Sequence, residues 1–179
     1  MNLNQSKILY LSLIIIFGAI IVTSVFYLLG GFKEVSVQKE GSTEYTLVGK
    51  QFVSHYTSKD WITFGQQCKV LLDEEKINGN LTVITYHTDS LKEDEISKFV
   101  GILLKDDMAE IPQGFNVKQM NSENRYSVML DMHVLVQPRP QKIEGMIINA
   151  AQTDKKDLKD FFVEIRYPNG DLQVEGWAK

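Results

Sequence analysis

Hydrophobic and polar positions follow three patterns along this chain, and each pattern predicts a different kind of element. Residues 8–29 form one apolar run of 22 residues without a charge. Farther on, several short stretches alternate apolar and polar residues, which predicts β-strands, and two stretches place apolar residues at helical intervals. The chain therefore divides into an apolar N-terminal segment and a domain that mixes helices with strands.

The apolar run is long enough to cross a membrane as a helix. At a rise of ~1.5 Å per residue it spans ~33 Å, which matches a hydrocarbon core of ~30 Å. A cleaved signal peptide would have a shorter apolar region and a small-x-small cleavage site, but LLGGFKEV follows here. We therefore expect a short tail at 1–7, a retained single-pass transmembrane helix at 8–29 and a glycine hinge at 30–31.

Charged residues near the run leave the side of the membrane open. Lys7 lies before it, and Lys33 and Lys39 follow soon after it. The basic residues that the positive-inside rule counts are therefore nearly balanced. A short tail before a single span often stays inside, which favours a domain outside the cytoplasm.

The domain passes through the same order of elements twice. In the first half, the pattern predicts a helix with an apolar stripe over 61–72 and strands at 32–38, 45–56, 81–86 and 96–104. In the second half, it predicts a helix with a stripe over 143–151 and strands at 115–120, 125–137, 161–167 and 172–177. Tyr45 matches Tyr126 and Tyr86 matches Tyr167, both at an offset of 81.

This repetition predicts an α+β fold built as a tandem βαββ repeat with pseudo-two-fold symmetry. An antiparallel sheet would carry the helices on one face and a groove on the other. Repeat one covers about 32–105 and repeat two about 115–177, within a domain at 32–177. Concave seams of this kind favour ligand binding.

Alternation along the strands assigns side chains to the groove. In the second long strand, every second residue over 128–136 is apolar, so we expect this face to meet the helices. The opposite face carries Asp131 and His133. The offset of 81 then assigns three residues of the first copy to the groove: Lys50, Phe52 and Tyr56.

One carboxylate interrupts an apolar strand near the end of the chain. Glu164 lies inside FFVEIRY and shares a strand face with Phe162 and Arg166. A partly buried carboxylate is costly unless it is paired or hydrogen-bonded. We therefore expect a partner for it, either internal, such as Arg166 or Lys50, or a bound ligand. A solvent-facing strand is the alternative.

The stretches YTLVGKQFVSHY, LTVITY, FVGILL and FFVEIRYPNGDLQVEGW together resemble the gyrase-inhibitor-like (GyrI-like) small-molecule-binding domain, also called the effector-binding domain and related to the SOUL fold. The resemblance covers about residues 32–177. It implies a ligand groove whose floor holds a glutamate that meets cationic aromatic ligands, and Glu164 is the matching residue. Arg166 departs from the family pattern. It would neutralise this glutamate, which leaves the ligand's charge open.

Composition argues against several other classes. The net charge is −4 and no block rich in Lys and Arg stands out, whereas a nucleic-acid surface needs a basic patch. The single cysteine, Cys68, excludes an internal disulfide and a cysteine-rich zinc site. No phosphate-binding glycine loop or hydrolase nucleophile motif occurs. We therefore expect no cofactor, no metal and no nucleic-acid partner.

The sequence thus predicts a membrane-anchored, non-catalytic protein that senses or binds a small aromatic ligand or a peptide in its groove. The expected ligand-binding residues are Glu164, Arg166, Phe162, Phe52, Tyr56, Lys50, Asp131 and His133. Two alternatives stay open. One is a glutamate-dependent hydrolase of small electrophilic compounds, and the other is a membrane adaptor whose vestigial groove is filled by its own side chains.

Overall fold

The structure, a computed structural model, describes residues 3–87, 91–92, 94–106 and 110–179. The chain divides into two compact units. One consists of Met1–Glu34 with Asp131–Gln137, and the other of Val35–Leu130 with Pro138–Lys179. Part of the polar segment between the strands predicted at 81–86 and 96–104 lies outside the described residues.

The first unit contains a long helix, α1 (Leu3–Leu28). Within it, Tyr10–Leu28 is long and apolar enough to cross a membrane, judged by length and composition. The chain turns after the helix at Gly30, whose φ of +82° favours glycine. A second segment of the unit packs here, because the His133 amide donates a hydrogen bond to the Leu29 carbonyl at 3.0 Å.

The second unit is an α+β domain. Its elements are β1 (Val37–Glu40), β2 (Thr43–His55), α2 (Asp60–Asp73), β3 (Gly79–Tyr86), β4 (Glu95–Leu104), β5 (Asn116–Ser122), β6 (Arg125–Leu130), α3 (Pro140–Thr153), β7 (Leu158–Arg166) and β8 (Leu172–Ala178). The strands form one antiparallel sheet in the order β1-β6-β8-β7-β3-β4-β2-β5.

This strand order is symmetric about the central pair of β3 and β7. Each half contributes three neighbouring strands, one before its helix and two after it, and the first strand of each half pairs in the other half. As a result β1 pairs with β6, and β5 pairs with β2. The predicted α+β fold with a tandem repeat and pseudo-two-fold symmetry is therefore confirmed.

Both helices of the domain form where the apolar stripes predict them. The Ser58 hydroxyl accepts a hydrogen bond from the Asp60 amide at 3.2 Å, at the start of α2. α3 begins with Pro140, a residue suited to a first helical turn. Their stripes turn toward the sheet and bury Cys68 on α2 and Ile143, Ile147 and Ala151 on α3.

The two helices lie on the same face of the sheet. Phe52 of β2 packs against Phe64 of α2, with ring centroids 5.5 Å apart. Gly176 of β8 lies so close to α3 that an added Cβ would be 2.6 Å from Ile147 Cγ2. In the pairing register, Phe52 and Gly176 belong to one row of residues that lie directly opposite one another across β2, β4, β3, β7 and β8. Residues in such a row lie on the same face of the sheet. We call this the helix face.

The sheet curls strongly, and the face opposite the helices lies on its concave side. Two residues join β1 to β2, and two join β5 to β6, although six strand spacings separate each pair in the sheet order. A two-residue link reaches ~11 Å, whereas six spacings of a flat sheet measure ~29 Å. Tyr45 on β2 also bonds Glu175 on β8, with three strands between them. We call the hollow side the inner face.

Each face has its own apolar core. On the helix face, Cys68 and Ile77 pack with Val48 and Ile102. On the inner face, the buried residues are Leu47, Ile84, Phe99, Val163, Ile165 and Trp177. The strands are therefore apolar on both sides, with neighbouring residues buried in different cores.

The second long strand is shorter than predicted. The sequence predicts a strand at 125–137, but β6 ends at Leu130, and Val134–Val136 forms a short 3-10 helix. Leu130 pairs with Leu172, the first residue of β8. A longer strand would have no partner in β8, so the apolar alternation beyond Leu130 does not mark a strand.

The first strand lies later in the chain than the one predicted at 32–38. Lys39 and Glu40 belong to it, and they pair with Tyr126 and Arg125. Charged residues are common on edge strands, and they give no apolar alternation to detect.

Candidate functional site

Glu164 lies on the helix face and not in the hollow. The pairing register places it in one row with Val83, Val100 and Val174. Val100 faces α2, because a Cβ added to Gly65 of that helix would lie 3.6 Å from Val100 Cγ1. Directly opposed residues share a face. The same register and alternation place four other predicted groove residues on the helix face: Phe162, Arg166, Phe52 and Lys50.

Glu164, Phe162 and Arg166 were assigned to the groove because their strand face mixes charged and aromatic residues, and the helix face has this composition too. Lys50 and Phe52 were assigned to the wrong face because one of the sequence matches was out of step. Tyr45 and Tyr126 match at an odd offset (126 − 45 = 81). However, Tyr45 reaches inward, whereas the Tyr126 hydroxyl donates to Asp154 at the end of α3. A slip of one residue exchanges the two faces of a strand. The match of Tyr86 with Tyr167 is consistent with the structure, since both pack in the inner core.

Three predicted site residues lie outside the strands. Tyr56 follows β2 and is exposed. Asp131 and His133 belong to the first unit. There, Asp131 pairs with Lys33 at 2.7 Å, and His133 Nδ1 accepts a hydrogen bond from the Leu135 amide at 3.3 Å. Ligand binding by these three residues stays a prediction.

Glu164 has an internal partner on the helix face. Its Oε2 lies 3.4 Å from Arg166 Nη2, and 25% of its side chain is exposed. On α3, burial raises the pKa of Glu144, the neighbouring His87 lowers it, and Glu164 raises it again. The partner that the sequence allowed, Arg166, is therefore in contact with this carboxylate.

The inner face gathers aromatic side chains on the concave side of the sheet. Trp177 is fully buried, and its ring centroid lies 5.3 Å from that of Tyr45 and 5.6 Å from that of Phe161. Around the buried core lies a half-buried rim made of Tyr45, Tyr86, Leu103, Met120, Phe161 and Tyr167. Concave surfaces with apolar and aromatic walls are the usual setting of small-molecule sites.

A fully buried carboxylate, that of Glu175, lies within this aromatic cluster. Its Oε1 accepts hydrogen bonds from the Tyr45 hydroxyl at 2.9 Å and from Gln173 Nε2 at 2.8 Å. Its Oε2 accepts one from Trp177 Nε1 at 2.8 Å, and Arg125 Nη1 lies 3.3 Å from Oε1. These donors compensate a buried charge. Glu175 therefore fixes the orientation of the Tyr45 and Trp177 side chains through these hydrogen bonds.

Burial dominates the titration of this network. It raises the pKa of Glu175, and the opposing contributions of Trp177 and Arg125 do not reverse the shift. Burial also raises the pKa of Tyr45, and so does the charge of Glu175. Burial lowers the pKa of Arg125, but Glu175 and Tyr45 raise it above its ordinary value. Tyr45 and Arg125 therefore keep their protons at neutral pH and serve as donors.

Two lysines lie over inner-face rings. Lys118 Nζ, from β5, lies 4.8 Å from the Tyr86 centroid and 5.4 Å from the Phe99 centroid, and it donates a hydrogen bond to the Tyr86 hydroxyl. Lys159 Nζ lies 5.5 Å from the Trp177 centroid. Ammonium groups within ~6 Å of a ring centroid are attracted by its π face. The hollow thus carries positive charge at two places.

Sequence reasoning missed Glu175, although its strand carries a signal. In LQVEGW, the residues Gln173, Glu175 and Trp177 alternate on one face, while the residues between them are apolar or glycine. Two hydrogen-bonding side chains beside a tryptophan indicate a buried polar network. Lys118 carried no such signal, because its ring partners come from β3 and β4, which are distant in sequence.

The described part of the chain offers no metal site, since no group of three His, Cys, Asp or Glu side chains is placed to hold an ion. His55 and His87 each lie near one carboxylate, with Nε2 3.4 Å from Asp94 Oδ2 and 3.9 Å from Glu144 Oε1 respectively. His133 belongs to the first unit.

Several solved structures resemble this chain. The EcmrR C-terminal domain matches with a TM-score of 0.52 at 10% identity, over 83% of this chain and 98% of that one. A hydrolase from Listeria innocua matches with a TM-score of 0.53 at 7% identity, over 80% and 92% of the two chains. SAV2435 bound to tetraphenylphosphonium matches with a TM-score of 0.49 at 15% identity, over 82% and 94%.

At these identities the likeness shows the fold alone, and that fold is the GyrI-like one that the sequence resembles. No family model matches the chain, and no curated protein matches it.

Proposed function

We propose that the α+β unit binds a small, partly aromatic molecule on the inner face of its sheet. The observation that carries the proposal is the network at Glu175, a fully buried carboxylate held by three hydrogen bonds and one ion pair among half-buried rings. Small-molecule sites typically combine apolar walls with a few fixed polar groups. The resemblance to GyrI-like ligand-binding domains supports the same function.

The residues of this site have two roles. Glu175 positions the site, because it is fully buried and acts through Tyr45 and Trp177. Tyr86 and Phe161 form walls, because they are half-buried and pack at the edge of the inner core. A ligand would therefore contact the aromatic rings and tyrosine hydroxyls of the inner face, and the Glu175 carboxylate would keep the side chains that it bonds in position.

The experiment compares two phenylalanines that are both half-buried, Phe161 on the inner face and Phe52 on the helix face. The full chain in lipid nanodiscs is screened with neutral, cationic and anionic aromatic compounds. A compound that binds only the folded state raises the Tm. For a compound that does so, Phe161→Ala should weaken binding at least ~10-fold in calorimetry, and Phe52→Ala less than ~2-fold.

The reverse ranking would move the site to the helix face, where the sequence predicts Glu164 and Phe52 as ligand contacts. The proposal would be contradicted if none of the screened compounds raised the Tm of the parent protein.

The helix Tyr10–Leu28 is proposed to anchor the protein as a single membrane span, with the domain outside the cytoplasm. The full chain should then stay in the membrane pellet after carbonate extraction, because carbonate releases only peripheral proteins. Protease added outside intact cells should digest the domain. Release by carbonate would contradict the anchor, and protection from protease would contradict the side.

A hydrolase is the second candidate. A buried carboxyl with a raised pKa, such as that of Glu175, is suited to general acid catalysis, and a hydrolase from Listeria innocua shares the fold. A substrate would first have to reach this buried group. Electrophilic compounds that bind should then be turned over by the parent and not by Glu175→Gln. Binding without product would reject this candidate.

A further inference from the structure

We infer that Lys118 makes the inner face selective for aromatic molecules that carry an acidic group. The inference rests on the proposed function and names the ligand class of the same site. It depends on which charges in the hollow already have a partner and which do not.

The acids of the inner face are satisfied within the protein. Glu175 accepts hydrogen bonds from three donors and forms an ion pair with Arg125. Glu40 contacts the same guanidinium and accepts a hydrogen bond from the Ser127 hydroxyl. Between these two described carboxylates, a cationic ligand would therefore find none without a partner, and it would have to break existing bonds to gain one.

The Lys118 ammonium is different. It has three N–H donors and gives one to the Tyr86 hydroxyl. Among the carboxylates that the structure describes, none lies within 4.0 Å of Lys118 Nζ, whereas Lys39 Nζ lies 2.6 Å from Asp154 Oδ2. A half-buried ammonium over two rings thus has donors left for a ligand.

The position of Lys118 joins these donors to an apolar surface. Its side chain crosses from β5 to β3, over Phe99, and Phe161 lies beside Tyr86 with ring centroids 5.9 Å apart. An aromatic acid could lay its ring on these side chains while its carboxylate accepts from Lys118. An aromatic cation placed there would meet a like charge, which is repulsive.

The test uses two probes that share a ring and differ in charge, 2-naphthoate and 2-naphthylmethylammonium. Calorimetry is done on the full chain in nanodiscs of zwitterionic lipid, and the heat of empty nanodiscs is subtracted. The parent should bind the anion ~10-fold more tightly, a difference of about 1.4 kcal/mol. Lys118→Met should abolish or reverse this preference, and Lys118→Arg, which keeps the charge, should retain it.

Lys69→Met on α2 is the matched control, because Lys69 is exposed and should not affect either probe. Equal binding of the two probes by the parent, tighter binding of the cation, or an unchanged preference in Lys118→Met would overturn the inference alone. If neither probe bound, the inference would be overturned, while the proposed function would be decided separately by the thermal screen. If Lys118→Met did not fold, loss of the preference in Lys118→Arg would overturn the assignment to Lys118.

Discussion

Each face of the sheet holds a glutamate in the interior of a strand, and the surroundings of the two differ. On the helix face, Glu164 has one ionic partner, Arg166 at 3.4 Å, and a quarter of its side chain is exposed. On the inner face, Glu175 is fully buried, accepts three hydrogen bonds and forms an ion pair with Arg125. Water can hydrogen-bond to the exposed carboxylate oxygens of Glu164, whereas a buried carboxylate needs hydrogen-bond donors from the protein.

The difference shows which feature of a strand glutamate indicates a built site. Glu164 interrupts an apolar strand and matches the family position, yet it lies among ordinary helix-face neighbours. Glu175 connects side chains from three strands, since Tyr45 comes from β2, Arg125 from β6 and Trp177 from β8. Burial with several converging donors therefore indicates a built site better than position in an apolar run.

The largest expected contrast is between the two glutamates themselves. Glu175→Ala should lower the free energy of unfolding by ~3–5 kcal/mol, because it removes a fully buried side chain and leaves the buried donors of Gln173 and Trp177 without an acceptor. Glu164→Ala should lower it by less than ~1 kcal/mol. Urea unfolding of both variants measures the difference. Equal losses would show that Glu175 is not held as the structure describes.

The core of the helix face can be probed at Cys68. Burial raises the pKa of this thiol from 9.0 to about 11. Because only the thiolate reacts, iodoacetamide at pH 8 should modify Cys68 ~100-fold more slowly than it modifies a free cysteine. The urea-unfolded chain is the control and should react at the free rate. Rapid reaction of the folded protein would mean that α2 does not seal this face.

Close packing against α3 gives a third contrast, because substitution of two glycines by alanine should change the stability of the protein in opposite directions. In Gly176→Ala the new Cβ would lie 2.6 Å from Ile147 Cγ2, and overpacking of this kind costs ~1–3 kcal/mol. Gly145 lies inside α3 with open space around it, so Gly145→Ala should stabilise by ~0.5–1 kcal/mol. Thermal unfolding of the two variants should shift in opposite directions. A neutral Gly176→Ala would contradict the placement of α3.

The smallest contrast concerns the pH dependence of stability. Hydrogen bonds from Lys39 and Tyr126 hold the pKa of Asp154 below its ordinary value of 3.8. The stabilising contribution of Asp154 is therefore present above pH 3.8 and is lost as the pH falls through the folded pKa. Burial raises the pKa of Glu175 above 4.5, so its contribution is complete below pH 4.5 and is lost as the pH rises.

Urea titrations from pH 2 to pH 7 should show these opposite signs when the parent is compared with Asp154→Asn and with Glu175→Gln. Parallel pH profiles for the parent and both variants would contradict the assigned shifts.

The sequence was sufficient to predict the class and order of the elements. The stripes ending at Leu72 and Ala151 predicted both helices, because helical spacing is a local property. The face of each strand was not predictable from apolarity, since Leu47 and Val48 are buried in different cores. A repeat match between Tyr45 and Tyr126, one residue out of step, was then enough to exchange the faces of β2.

The site itself depended on contacts that no local pattern contains. The Tyr45 hydroxyl reaches Glu175 over a separation of 130 residues, and Lys118 reaches Tyr86 over a separation of 32. Both contacts exist because the sheet curls, and the curl follows from which strands the two-residue links join. Strand pairing, and not composition, therefore decided which glutamate lies beneath the rings.

The two tryptophans report directly on which face holds the ligand. Trp177 donates its indole N–H to Glu175 beneath the inner rings, whereas Trp61 of α2 lies on the helix face with Lys98 Nζ 4.4 Å from its ring centroid. In nitrogen-proton correlation spectra of the full chain, assigned with Trp61→Phe, a bound naphthyl probe should shift the Trp177 indole signal and leave that of Trp61 in place. A shift of Trp61 with Trp177 unchanged would contradict a site on the inner face.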